Sequence, residues 1–456
     1  MAIRWLPAVG VVFVALFASA PAAAATTPRV AVLYSNPEYA VLGVDDRGVS
    51  YGVDGDKAHQ NALFESSDQA RTWWPVYYFP KGSRIVLVRP VGHSTLLAGV
   101  LFGDYALWRS GDDGRSWTDV HSFPTGYGLL TPHSIATDGR GRVVMAAYNY
   151  FRNAADHPTP ILRSADYGRS WKVVFVERTS RHAHCTSYDP YTGYFYVCFG
   201  DWFLQNQILR STDGGRTWAV VVRGAGNRAV DITFDRTYIY FGQDNQDHDS
   251  IVRVDKKTGA TEALPVIAGA SYSALRLRDG TFLIGETHEP RGSVYAGERT
   301  VHLYASRNGT SWVDVMQRPI RPDGAGYAYI DAYYEYPNGS VPLLISGYGT
   351  VVVRVGPPFP SLTRPAEPAA SSPARRNVAP QAPGGATSRE TLLQGIAAAL
   401  FGAASLLVAT AAWIRRLAAP VRGPVTVGGR VVVEPMQLVA AAVSLVIAAV
   451  FVFLMS

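Results

Sequence analysis

One short segment, S-x-D-x-G-x-[ST]-W, recurs along this chain, and such recurrence constrains the fold more than composition does. It stands without fault at Ser110–Trp117, Ser164–Trp171 and Ser211–Trp218. A fourth copy, Ser66–Trp73, has Ala70 in place of glycine. A fifth, Ser306–Trp312, is one residue short and has Asn308 in place of aspartate. Asp255–Gly259 is a worn sixth copy. Trp73, Trp117, Trp171 and Trp218 lie roughly 45–55 residues apart, and Trp312 follows after about two such intervals. That spacing suits one four-stranded sheet per repeat in a radial array.

The residue types explain the segment. Ser and Asp side chains hydrogen-bond the backbone of a tight turn. Glycine supplies a positive φ. The tryptophan opens the next strand with a large apolar face. Between segments lie strand pairs such as Ser83–Arg89 with Leu96–Phe102, and Ala229–Phe234 with Thr237–Phe241. Tyr327–Tyr333, Val341–Ser346 and Thr350–Val355 follow the last copy, and Arg29–Tyr34 can supply the missing fourth strand and close a ring.

These segments resemble the Asp-box, or bacterial neuraminidase repeat, of sialidase-like propellers. The resemblance implies an all-β, seven-bladed propeller (six-bladed as the alternative) over residues 26–356. It implies a structural role for Asp68, Asp112, Asp166, Asp213, Trp73, Trp117, Trp171, Trp218 and Trp312. Sialidase activity would further need three arginines, a Tyr/Glu nucleophile pair, an Asp acid/base and an Arg-Ile-Pro-like motif. Here the corresponding stretch reads Pro28-Arg29-Val30-Ala31. Tyr329, Glu286 and Asp231 are the catalytic candidates, and Arg181 and Arg291 are the guanidinium candidates.

In a blade the first strand starts, and the second ends, on the rim away from these turns. Polar residues gather at those positions: His133, Asn149, Arg181, His182, His184, Asp201, Gln243, Asn245, Glu286 and His288. His182 and His184 fall on one side of a strand by alternation. With His288 or His133 they could bind a divalent metal through imidazole nitrogen. Such a centre is similar, in architecture alone, to the His-lined centre of the oligogalacturonate lyases. Three functions follow: a glycan-binding or glycan-processing propeller, a scaffold for an envelope or membrane protein, and a metal-dependent lyase or sialidase-like hydrolase. No nucleotide loop, His-Glu-x-x-His motif or Gly-x-Ser-x-Gly elbow is present.

The ends of the chain set its expected location. Residues 1–25 combine Arg4, an apolar run and Ala23-Ala24-Ala25, the layout of a secretory signal. Residues 357–390 form a Pro/Ala/Ser-rich linker. Segments 391–414 and 436–455 are long and apolar enough to span a bilayer as helices. The basic loop 415–435 between them is expected in the cytoplasm, which leaves the propeller outside. The formal charge of +6 resides in the leader, the linker and that loop. A neutral 26–356 argues against a nucleic-acid partner. Cys185 and Cys198 flank the turn sequence Asp189-Pro190-Tyr191-Thr192-Gly193, so a hairpin disulfide is expected in an exported chain.

Overall fold

A computed structural model describes residues 30–356, apart from 56–59, 152–156, 202–204, 246–248, 290–298 and 323–325, and also 426–427 and 430–431. The leader, the linker and both apolar segments lie outside the described residues. So does Arg291. Contacts divide the chain into two units, 1–369 and 370–456. Of the second, the described part is one antiparallel pair, Thr426–Val427 with Arg430–Val431.

The first unit is all β, with no α-helix among its described residues. Its strands form successive four-stranded antiparallel meanders. Five are separate sheets, spanning 39–78, 84–122, 135–177, 182–223 and 233–266. Two more, 270–319 and 328–355, join into one eight-stranded sheet through Thr287–Tyr329 and His288–Ala328 pairing. We number these meanders 1 to 7 along the chain. The fourth strand of meander 7 comes from the other end of the sequence: Val30–Asn36 pairs with Gly349–Val355, Val30 opposite Val355. The expected closing strand is therefore present, running on to Asn36.

The packing is circular. Tyr51 and Leu63 of meander 1 share an apolar cluster with Ile85 and Leu96 of meander 2. Leu97 and Leu107 then pack with Ile135 and Met145. Further clusters couple meanders 3 and 4, 4 and 5, 5 and 6, and 6 and 7. The last unites Tyr333 and Tyr334 of meander 7 with Val41 and Trp73 of meander 1. Each sheet thus buries both faces against its neighbours, and the order returns to its start. This is a β-propeller. Closure through the terminal strand leaves no sheet-to-sheet gap in the ring, and exposed edges are confined to the outermost strands.

Register fixes which edge is which. In meander 4, Asp189 lies opposite Tyr194 and Phe195 opposite Ser211, so the first turn and the S-x-D turn share one edge. His182 lies opposite Gly200, and Phe199 opposite Gln207, at the other edge. We call these the turn edge and the far rim.

At the turn edge the segments behave alike. Asp68, Asp112, Asp166 and Asp213 each accept the main-chain N–H four residues on, at 2.9–3.0 Å, and that residue's hydroxyl with the other oxygen. The preceding serine accepts from the N–H at the glycine position. Hydrogen bonds led by that of the Ser116 hydroxyl hold the Asp112 carboxyl down at about 2. Ala70, where the other copies have glycine, adopts the same left-handed backbone at φ 69°. The indole N–H of Trp117 donates to Gly114 O at 2.8 Å, and Trp73, Trp171 and Trp312 repeat the contact.

The expected disulfide is corrected. Cys185 and Cys198 do lie directly opposite one another, but both are free thiols. They sit in the apolar cluster between meanders 4 and 5 with Tyr196, Ile208 and Phe241. Burial first, then hydrogen bonding to Cys185, pushes the Cys198 thiol well up. A thiol held protonated in a dry core is unreactive.

Candidate functional site

The site grows from the start of meander 4. His182 and His184 open its first strand, His182–Asp189, and both are buried. The ladder slips between Ala183 and Cys185, leaving His184 in a bulge that re-aims its ring. The second strand ends at Gly200, and Asp201 follows with φ 91°, a left-handed geometry rare for a residue with a side chain.

These three side chains converge. His182 Nε2 lies 3.1 Å from His184 Nε2. Asp201 reaches His182 Nε2 at 3.0 Å and His184 Nε2 at 3.1 Å, one oxygen to each. The other ring nitrogens are engaged by main chain. His182 Nδ1 meets Asn149 O at 2.9 Å, and His184 Nδ1 meets Ala229 O at 3.0 Å. Tyr148 stacks on His182, ring centroids 3.9 Å apart.

Two guanidinium groups complete the surroundings. Arg181 pairs with Asp201. Arg228 bridges Asp201 at 3.1 Å and Asp244 at 3.0 Å. Burial opposes ionisation of Asp201, but the hydrogen bonds from His182 and His184 outweigh it and hold the carboxyl far below its ordinary range. Burial pushes Asp244 well up, against the pull of Arg228, and pushes the His182 imidazole down. Tyr272 and Glu289, hydrogen-bonded to each other, bring meander 6 to the same rim, and the Tyr272 phenol is raised by burial and then by Asp244.

Other sequence candidates fall elsewhere. His133 points into the central channel and contacts Asp231 at 2.9 Å. Asp231 also accepts the N–H groups of Ile232 and Ala274, one with each oxygen, so it ties meanders 5 and 6 together. Gln243 accepts from Ser250 N and donates to Gly226 O, closing its own loop. The Asn245 N–H donates to Asp249. Asn149 joins the site through its main-chain carbonyl. Glu286 is buried in meander 6, 3.8 Å from His302. Tyr329 opens meander 7 opposite Thr287. His288 lies on meander 6, and the third group meeting His182 and His184 is Asp201 rather than this histidine. The reason is topological: the end of a strand's own partner is nearer than a strand two meanders away.

Sequence reasoning missed Tyr148, Arg228, Tyr272 and Glu289. The first directly precedes a chosen residue, and Arg228 stands just before a short first strand that the Asp231 turn trims to Thr233–Phe234. It also missed a cavity of about 360 Å³ at the turn edge of the channel, lined by Arg89, His133, Arg276, Arg278 and Tyr333 among others.

No family model matches the chain, and no curated protein does. Solved structures do. YCF48 from Cyanidioschyzon merolae is 13% identical with a TM-score of 0.48, over 72% of this chain and 98% of that one. The extracellular domain of the putative one-component system BT4673 from B. thetaiotaomicron is 12% identical with a TM-score of 0.46, over 71% and 39%. A protein of unknown function from Dyadobacter fermentans is 15% identical with a TM-score of 0.38, over 73% and 99%. The propeller assignment stands on the strand pairing and the circular packing.

Proposed function

We propose that this protein is a membrane-anchored, extracytoplasmic seven-bladed propeller with Asp-box turns that binds a glycan at its far rim. One observation carries the ligand reading. Side chains from meanders 3 to 6 meet on one rim, with no packing need to do so: Tyr148, the Arg181–Asp201 pair, the Arg228–Asp244 pair and the Tyr272–Glu289 pair. Flat aromatic faces beside fixed donors and acceptors suit sugar rings and their hydroxyls. The signal-like leader and the two apolar segments around a basic loop support the anchored topology. Asp231 has no catalytic part in this reading, because both its oxygens are committed to main-chain N–H groups.

The test is a glycan array with the full chain in detergent, compared with Arg228→Ala. Binding that falls at least tenfold in the variant supports the reading; no binding by the unaltered protein overturns it. A second reading has its own support. Trp74, Tyr78 and Val173, on outermost strands, are 68%, 63% and 57% exposed. Trp74 and Tyr78 share one edge strand, and this exposed aromatic pair suits docking of an envelope protein. A silent array with a partner cross-linked through Trp74 would select that scaffold role.

A further inference from the structure

We propose that His182, His184 and Asp201 bind a divalent first-row transition-metal ion. The argument starts from the protons. A backbone carbonyl only accepts hydrogen bonds, so Asn149 O and Ala229 O require Nδ1–H on His182 and His184. In the neutral Nδ1–H tautomer, the form that binds a metal, each Nε2 carries a lone pair where the ion-free rings share protons with Asp201. Those lone pairs face one another at 3.1 Å, and both face an Asp201 oxygen at 3.0–3.1 Å. Three acceptors around one point repel unless something positive stands among them. A single proton shared by the imidazoles, with Arg181 and Arg228 on the carboxylate, satisfies the groups separately and joins none of them to the others. A divalent ion answers all three.

The spacing fits. Bond lengths of ~2.1 Å, with ligands at right angles, put neighbouring ligand atoms ~3.0 Å apart. The two imidazole nitrogens are 3.1 Å apart, and each has a different Asp201 oxygen beside it, Oδ2 at 3.0 Å from His182 and Oδ1 at 3.1 Å from His184, so the carboxylate faces the pair with both oxygens. Two imidazoles and one carboxylate on one face suit a borderline ion of the zinc, manganese or iron class, with the opposite positions left for water or a ligand. The outer contacts are those of a metal site. The carbonyls fix both imidazole tautomers, and Arg181 and Arg228 hold the carboxylate. Asp201 alone of the three is partly open, its side chain 16% exposed, so an ion enters past it. Its left-handed backbone is the strain that such a fixed ligand position entails.

This inference goes beyond glycan recognition, since the ion binds with or without a sugar. The experiment uses the full chain in detergent, stripped with chelator, dialysed and titrated with Co²⁺, then displaced by Zn²⁺. We expect one Co²⁺ per chain, with visible absorption bands of a nitrogen- and oxygen-ligated ion. His184→Gln and Asp201→Asn should each weaken binding at least ~100-fold, and His302→Gln, on meander 6, should leave it unchanged. Added Zn²⁺ should raise the thermal midpoint of the unaltered protein, a readout that survives any variant that misfolds. Absence of stoichiometric Co²⁺ in the unaltered protein, or equal binding by well-folded His184→Gln, would overturn the proposal. The glycan array stands apart from either outcome.

Discussion

The two edges of the ring solve the same electrostatic problem in opposite ways. At the turn edge Asp68, Asp112, Asp166 and Asp213 each find their partners within four residues, so each of these turns is complete in itself. At the far rim His182 and His184 meet Asn149, Asp201 and Ala229, 17 to 45 residues away and on or beside three different meanders. Local satisfaction makes a structural device that can be copied around a ring. Distant convergence makes a site that exists once. A carboxylate seen in a sequence therefore says little alone; the distance to its partners separates a turn from a site.

The largest expected effect lies on the turn edge. Trp312 is fully buried, its indole N–H bonds Gly309 O, and its ring packs beside Phe282. Trp312→Ala should destabilise by about 3–5 kcal/mol, read as a fall in the thermal midpoint. A loss below ~1 kcal/mol would show that these turns decorate the ring without bracing it.

How much of this was legible follows from the same contrast. Ser, Asp, Gly and Trp within eight residues describe a whole hairpin, so the propeller and its closing strand could be read from the sequence. The long interval between Trp117 and Trp171 was legible only as an irregularity. In the structure it holds an extra pair, Tyr127–Gly128 with Tyr148–Asn149, which brings Tyr148 and the Asn149 carbonyl to His182. The two histidines were legible from alternation, although a bulge at His184 does part of the aiming. Asp201 stood among the rim candidates but not as their partner. The carbonyls that set the tautomers, and Arg228, were invisible because residue identity does not encode which main-chain oxygen a ring meets.

Between the two edges runs the channel, and there a titration sharpens the contrast. Asp331 is buried, accepts from the Tyr333 hydroxyl at 3.0 Å, and lies within reach of the Asp231 charge. Burial first, then the Asp231 charge, raises its carboxyl to about 7. Because the folded value exceeds the unfolded one, the stabilisation is complete below about 4 and is lost as pH rises through 7. The amount is at most about 4 kcal/mol. Asp331→Asn cannot ionise, so its midpoint should overtake that of the unaltered protein as pH climbs from 5 to 8. A difference that is constant with pH would mean that Asp331 is solvated and the channel wet.

The smallest effect tests whether the turns are as equivalent as their sequences. Trp117 donates its indole N–H to Gly114 O at 2.8 Å. Trp218, in a faultless copy of the same segment, has a buried indole nitrogen with no partner among the described residues. Both lose ring area on replacement by phenylalanine, but only Trp117 loses a hydrogen bond, worth about 0.5–1.5 kcal/mol. Trp117→Phe should therefore cost about 1 kcal/mol more than Trp218→Phe by chemical denaturation. Equal costs would mean that the indole contact follows from the turn instead of holding it. In that case the Ser and Asp hydrogen bonds alone carry the repeat, and the tryptophan is there for its apolar face.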